Sequence, residues 1–342
     1  MFEAFFSWYN GLTDSVIGSL ALFAVGLILL IKGGDWFVDS ATGIAKRFRV
    51  PEIIIGATVV SIGTTLPEVM VSATAAANGN GAIAYGNAIG SIICNTSLIA
   101  ALTIAIRPAP VNRKAITMPV VFFFLSAAIY VAAAYVFGSF DRWLGLVMLT
   151  VFAVYMFLTI RQGFKNPVKG EEHKEEEAAE GSLVKDIIVL IVSAALIAVG
   201  ADMLEGSSVS LATMAGIPTE VVGVTIVALC TSLPELVTAI TALAKGHGAL
   251  SLGNIIGANI FNLVLVSGVA VTLSPFAVPE GSSIFGHNTS LVMEIPLMVG
   301  VMALMTLPAV FFKKLFRWQG ALLLCIYVAF VVLQVMIALH MI

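Results

Sequence analysis

Long apolar runs separated by short polar breaks dominate the chain. A membrane span needs about 20 mostly apolar residues. Windows of that size give ten candidates: 16–39, 52–78, 83–105, 115–138, 143–160, 184–214, 219–244, 249–273, 289–311 and 319–341. The runs are continuously apolar rather than alternating, which predicts helices and argues against a transmembrane barrel. The expected fold class is an all-α integral membrane protein of ten transmembrane helices.

Composition points the same way. The 342 residues are 59% hydrophobic and 11% charged, against about 45–50% and about 25% in soluble domains. A soluble enzyme is excluded, and so is a disordered chain. A net charge of −3 offers no basic surface to nucleic acid. Three cysteines, two of them inside apolar runs, make neither a disulfide framework nor a zinc site. The leading stretch MFEAFFSWYNGLTDS has no Lys or Arg, so it does not read as a secretory signal.

Lys and Arg set the expected orientation. Fifteen of them fall at the span ends and loops of one side, from Lys46, Arg47 and Arg49 to Lys313, Lys314 and Arg317. The opposite loops hold only Arg142, and Lys32 lies within the first span. By the positive-inside rule both termini face outward and the basic loops are cytoplasmic. One long hydrophilic segment, 162–183, carries six acidic residues within 171–180 and reads as a solvated cytoplasmic linker. The expected organisation is a first five-helix repeat over 1–161, the acidic linker, and a second five-helix repeat over 184–342.

The word repeat is earned by an internal match. GATVVSIGTTLPEVMVSA (56–73) aligns with GVTIVALCTSLPELVTAI (223–240), and GNAIGSIICN (86–95) with GNIIGANIFN (253–262). Asp35 aligns with Asp202 and Pro51 with Pro218, all at one offset of 167. An odd number of spans per half makes the two copies enter the membrane from opposite sides. Inverted repeats with interrupted helices meeting at mid-membrane are common in secondary transporters.

Glu68 and Glu235 occupy equivalent positions within apolar spans. A carboxylate at the bilayer centre costs about 2.5–3.5 kcal/mol even on a lenient scale. Such groups are paired, protonated or bound to cations, and no basic residue lies within their own spans except Lys245 at an edge. Pro67 and Pro234 precede them, and each removes a backbone donor. Carbonyls around Ser61–Gly63 and Ala228–Cys230 are thereby expected to lose partners and to turn toward a cavity. Thr64, Thr65, Thr231 and Ser232 stand three and four residues before the two Glu, on the same helix faces. Asn87, Ser91 and Asn95 form a stripe whose copy is Asn254, Ala258 and Asn262, and buried amides there face either a cation or a neighbouring helix. Gly86–Gly90 and Gly253–Gly257 permit close helix packing. The donors are all oxygen, which suits hard cations such as Ca²⁺ rather than zinc or copper.

At GTTLPE (63–68), CTSLPE (230–235), GNAIGSIICN and GNIIGANIFN the chain resembles the calcium/cation antiporter superfamily, most closely the prokaryotic sodium/calcium exchangers. The resemblance extends over essentially the whole chain, including RWQG (317–320). It implies Ca²⁺ export driven by Na⁺ entry through alternating access in a prokaryotic cell membrane, with no cofactor besides the transported ions. It also implies Glu68 and Glu235 as central Ca²⁺ ligands. Thr64, Thr65, Thr231, Ser232, Ser91, Asn95 and Asn262, with the carbonyls of Ser61 and Ala228, would complete the Ca²⁺ and Na⁺ sites. Thr65 replaces the motif's Ser and Cys230 its Gly. Ala258 stands where members can carry a Na⁺-binding Ser, and Asn262 where some carry Asp. H⁺/Ca²⁺ exchange is the alternative, since two protons would also neutralise two Glu. Asp35-x-x-x-Asp39 is like a Mg²⁺–diphosphate motif of an intramembrane enzyme, but the second copy has Gly206 in place of its second Asp.

Overall fold

A computed structural model describes residues 11, 13–108, 111–165, 182–216, 232–280, 283–284, 286–339 and 341. The helices are α1 Val16–Phe48, α2 Glu52–Ala77, α3 Gly81–Ile106, α4 Arg113–Phe137, α5 Arg142–Lys165, α6 Leu183–Met214, α7 Leu233–Ala244, α8 Gly248–Leu273, α9 Ser290–Phe312 and α10 Arg317–Ala338. Among the described residues nine of them are long and apolar enough to cross a membrane, and α7 is shorter. The protein is an all-α integral membrane protein. Among the described residues two small antiparallel strand pairings join its loops: β1 Ser139–Phe140 with β2 Phe276–Ala277, and β3 Ser283–Ile284 with β4 His287–Asn288.

The offset of 167 reappears in the helix boundaries. It carries Val16 onto Leu183, and Gly81–Cys94 onto Gly248–Phe261. Among the described residues five stretches adopt π-helical geometry, and two of these begin at the equivalent Asn95 and Asn262. A π turn inserts one residue into a helix and often marks a functional site.

The long helices α1 and α6 cross in antiparallel fashion. Gly26 packs on the carbonyl of Gly200, where a Cβ would come within 2.8 Å of the oxygen. Gly33 packs on Ser193 and Ile197. By the offset, Gly26 is the copy of Ser193 and Gly33 the copy of Gly200, so one contact is made twice in opposite directions. That is the crossing an inverted duplication requires. The pair is pinned by Ser19 Oγ donating to Ser210 Oγ (3.3 Å) and by the Arg47–Asp186 ion pair (3.3 Å).

α1 reaches Phe48, well past the predicted end at 39. Ser15 caps its start by accepting from the Gly18 amide, and Arg49 ends it in the left-handed region at φ 52°. Lys46 and Arg47 in its last turn favour the negative end of the helix dipole. The Asp35/Asp39 pair is held by Lys245 at the end of α7: Nζ lies 2.8 Å from Asp39 Oδ1 and 3.5 Å from Asp35 Oδ1. This arrangement offers a diphosphate-bound metal no free pair of carboxylates.

α2, α3 and α8 form the interior. The apolar window of α8 is 83% buried, against 17% for α10. Glycine lets α2 and α8 touch backbone to backbone. A Cβ on Gly56 would lie 2.4 Å from the Leu250 carbonyl oxygen, and one on Gly253 would lie 2.2 Å from that of Ile53. One on Gly257 would lie 2.3 Å from Ser61 Oγ. The small-residue packing expected at Gly253–Gly257 is therefore present.

A candidate ion-binding site between the two motifs

Glu68 lies in the continuous α-helical part of α2, Ser61–Ala77. The π-helical stretch Gly56–Val60 directly precedes it. Pro67 sits inside this helix without interrupting it. Pro234 falls in the first turn of α7, where its missing N–H is no loss. The sequence predicts that each proline deprives carbonyls one turn earlier of a partner, and of the two stretches concerned Ala228–Cys230 lies outside the described residues. Around Glu68 the irregularity lies about two to three turns earlier, at the π stretch. Glu235 shares the first turn of α7, where the helix dipole favours negative charge. Phe37 of α1 lies over Gly63, its Cζ 3.0 Å from where a Cβ would stand, which accounts for the glycine of the first motif.

Nine of the eleven residues expected in the site are described, and all nine are buried: Ser61, Thr64, Thr65, Glu68, Ser91, Asn95, Ser232, Glu235 and Asn262. Thr231 and Ala228 lie outside the described residues. Thr65 Oγ1 of the first half donates to Glu235 Oε1 of the second at 3.5 Å. Among the described residues neither oxygen of Glu68 has a hydrogen-bond partner. The same holds for Glu235 Oε2, Ser91 Oγ, Ser232 Oγ and both amide atoms of Asn95 and of Asn262. Buried polar atoms are ordinarily bonded. Among the described residues such orphans are concentrated on these six side chains.

The stripe residues Asn87 and Asn254 serve as fasteners. Asn254 Oδ1 accepts from Ser61 Oγ (3.3 Å) and Thr64 Oγ1 (3.4 Å), and its Nδ2 donates to Thr238 Oγ1 (3.0 Å). Ser61 Oγ also reaches the Asn254 carbonyl at 3.0 Å. Asn87 Nδ2 donates to the Glu68 carbonyl (3.1 Å) and to Ser72 Oγ (2.8 Å). Asn254→Ala should lower stability by about 1–3 kcal/mol, by stranding the Thr64 hydroxyl and removing the bonds to Ser61 and Thr238. The midpoint of thermal unfolding in detergent measures this. An unchanged midpoint would show that the amide does not brace α2 against α8.

Sequence reasoning missed Asn259. Its Nδ2 donates to Thr96 Oγ1 (2.7 Å) and contacts Met302 Sδ (3.1 Å), so it joins α8 to the π turn of α3 and to α9. It is fully buried. The available signal was a lone amide inside an apolar run. The repeat concealed it, because the equivalent residue is Ile92.

Comparison with known proteins identifies the family. The family model described as sodium/calcium exchanger protein matches residues 18–161 and 185–336. The sodium/calcium exchanger MaX1 of Methanosarcina acetivorans is 33% identical, over 91% of this chain and 97% of that protein. The inner membrane protein YrbG of Escherichia coli is 33% identical, over 75% of this chain and 80% of its own. The solved structure of the sodium-calcium exchanger NCX_Mj superposes with a TM-score of 0.77 at 32% identity, covering 92% of this chain and 98% of that one. With the family model spanning both halves and these relatives covering most of its length, the chain belongs to the sodium/calcium exchanger family.

Proposed function

We propose that the protein exchanges Na⁺ for Ca²⁺ across a prokaryotic cell membrane by alternating access. The ions bind between the two repeats at Glu68, Glu235, Thr64, Thr65, Ser232, Ser91, Asn95 and Asn262. The hydroxyl of Thr231 and the carbonyls of Ser61 and Ala228 join this set by sequence. One observation carries the reading: a carboxylate from each half is fully buried, and no Lys, Arg or His is buried among the described residues. A buried carboxylate without a counter-charge is strongly penalised. Cations supply the counter-charge, and Ca²⁺ takes six to eight oxygens in flexible geometry.

The same penalty couples the two fluxes. A site filled by Ca²⁺ or by Na⁺ is neutralised and can cross between inward and outward arrangements. An empty site retains its charge and is held back. Both termini lie outside and the 162–183 linker is cytoplasmic, as the distribution of Lys and Arg requires. The relatives named as exchangers, and the naming of YrbG as an inner membrane protein, support the ions and the location.

Protons would neutralise the same two Glu, so the coupling ion is the point to test. Vesicles containing the purified protein should accumulate radioactive calcium when loaded with Na⁺ and diluted into Na⁺-free medium. Replacing internal Na⁺ by choline should abolish the uptake. Uptake that persists in choline and follows an imposed pH gradient would establish H⁺/Ca²⁺ exchange instead.

A further inference from the structure

Two π turns carry the equivalent amides Asn95 and Asn262, and each turn is held by a different device. In α8 the turn Asn262–Val266 is tied from within its own helix, by Ser267 Oγ donating to the Asn262 carbonyl at 3.2 Å. The equivalent of Ser267 in α3 is Ala100, which has no hydroxyl to tie the turn Asn95–Ala100. That turn is held from outside. Asn259 Nδ2 of α8 donates to Thr96 Oγ1 at 2.7 Å, and Met302 Sδ of α9 meets both that amide (3.1 Å) and the Thr96 hydroxyl (3.3 Å). All three side chains are fully buried. The residues equivalent to Asn259 and Thr96 are Ile92 and Leu263, whose apolar side chains cannot repeat the bond.

A hydroxyl in an apolar helix ordinarily bonds the carbonyl four residues back. Thr42, Thr58 and Thr306 do so, and Ser97, next to Thr96, donates to the Ile93 carbonyl. Thr96 instead directs its hydroxyl across to α8 and α9. The preceding residue, Asn95, is fully buried, and among the described residues neither atom of its amide has a hydrogen-bond partner. Its direction is therefore set by the backbone turn that bears it. Successive side chains of a helical turn keep a fixed angle to one another, so the bond that fixes Thr96 also fixes where Asn95 points.

We propose that Asn259 is a positioning residue for ion binding. Through Thr96 it sets the rotation of the α3 π turn and keeps the Asn95 amide turned into the candidate ion cage. The proposal rests on the exchange reading above, in which Asn95 is a ligand and Asn259 is not.

The test compares full-length variants in vesicles. Asn259→Leu removes the amide at similar volume, and Thr96→Val removes the hydroxyl while keeping the side-chain shape. Each should raise the half-saturating concentration of Ca²⁺ or of Na⁺ at least about fivefold, the worth of one hydrogen bond. The maximal rate per folded protein should stay within about twofold of native, as expected when binding rather than turnover is impaired. Thr96→Ser, which keeps the hydroxyl, should have near-native half-saturating concentrations. The double variant should be no worse than either single one, because both remove the same bond. Unchanged half-saturating concentrations in the variants, with only the melting midpoint lowered, overturn the proposal and leave a purely structural bond. Thr96→Ser behaving like Thr96→Val, or effects that add in the double variant, overturn it as well. Thr96→Val carries the test if Asn259→Leu does not fold. Native protein without Na⁺-driven uptake overturns the exchange reading. Positioning is then read from the rise in melting midpoint that Ca²⁺ confers, and an equal rise in native and Thr96→Val protein overturns it.

Discussion

Glu235→Gln, and equally Glu68→Gln, is expected to abolish Na⁺-driven Ca²⁺ uptake, with Ca²⁺ affinity falling by more than about 100-fold. Removing one partner of a buried charge pair costs about 3–5 kcal/mol, and each 1.4 kcal/mol is a factor of ten. The ligand-free protein should respond differently. Neutralising one Glu removes the repulsion between two buried carboxylates, so the melting temperature without Ca²⁺ should hold or rise. The increase in melting temperature that Ca²⁺ confers on the native protein should vanish, because stabilisation by a ligand scales with its affinity. A variant that still takes up Ca²⁺ at the native rate would remove Glu235 or Glu68 from the cage.

Gly253→Leu should be the most damaging single change to the fold. The new side chain would start 2.2 Å from the Ile53 carbonyl oxygen and 2.9 Å from its Cα, and backbone atoms cannot turn aside as a side-chain tip can. Forcing α8 from α2 should cost at least about 3 kcal/mol, the upper end for overpacking a core. The readouts are loss of the monodisperse peak in size-exclusion chromatography and a collapse of the melting midpoint. Gly300→Leu in α9 is the control, since nothing lies within 4 Å of its Cβ direction. Equal behaviour of the two variants would show that the α2–α8 contact has slack.

The parts of the fold that depend on pattern were readable from the chain. Span positions follow from apolar content, and the duplication was visible because both halves keep their motifs at one spacing. Helix ends were not, since they depend on local chemistry rather than hydropathy. Asp35 and Asp39 look like the end of a span until Lys245, more than 200 residues away, is seen to hold them. The π turns at Asn95 and Asn262 have no signature in composition. A proline's effect depends on its place in the helix, which is interior for Pro67 and in the first turn for Pro234, and the sequence alone does not distinguish the two. Glu68, Thr65 and Asn95 could be named from the sequence because polar groups in lipid need a reason to be there. The bracing by Asn254 and Asn259 could not, because it depends on which helix each amide faces.

The hold of Lys245 on Asp35 and Asp39 is also where the two copies stop being interchangeable. Asn78 stands at the position equivalent to Lys245, and Gly206 at that equivalent to Asp39. A rearrangement that swaps the roles of the copies thus finds a tether at one face and none at the other. A half-exposed ion pair contributes at most about 1 kcal/mol, enough for a preference of roughly five to one. Under the alternating access proposed above, this ion pair would favour one of the two arrangements over the other.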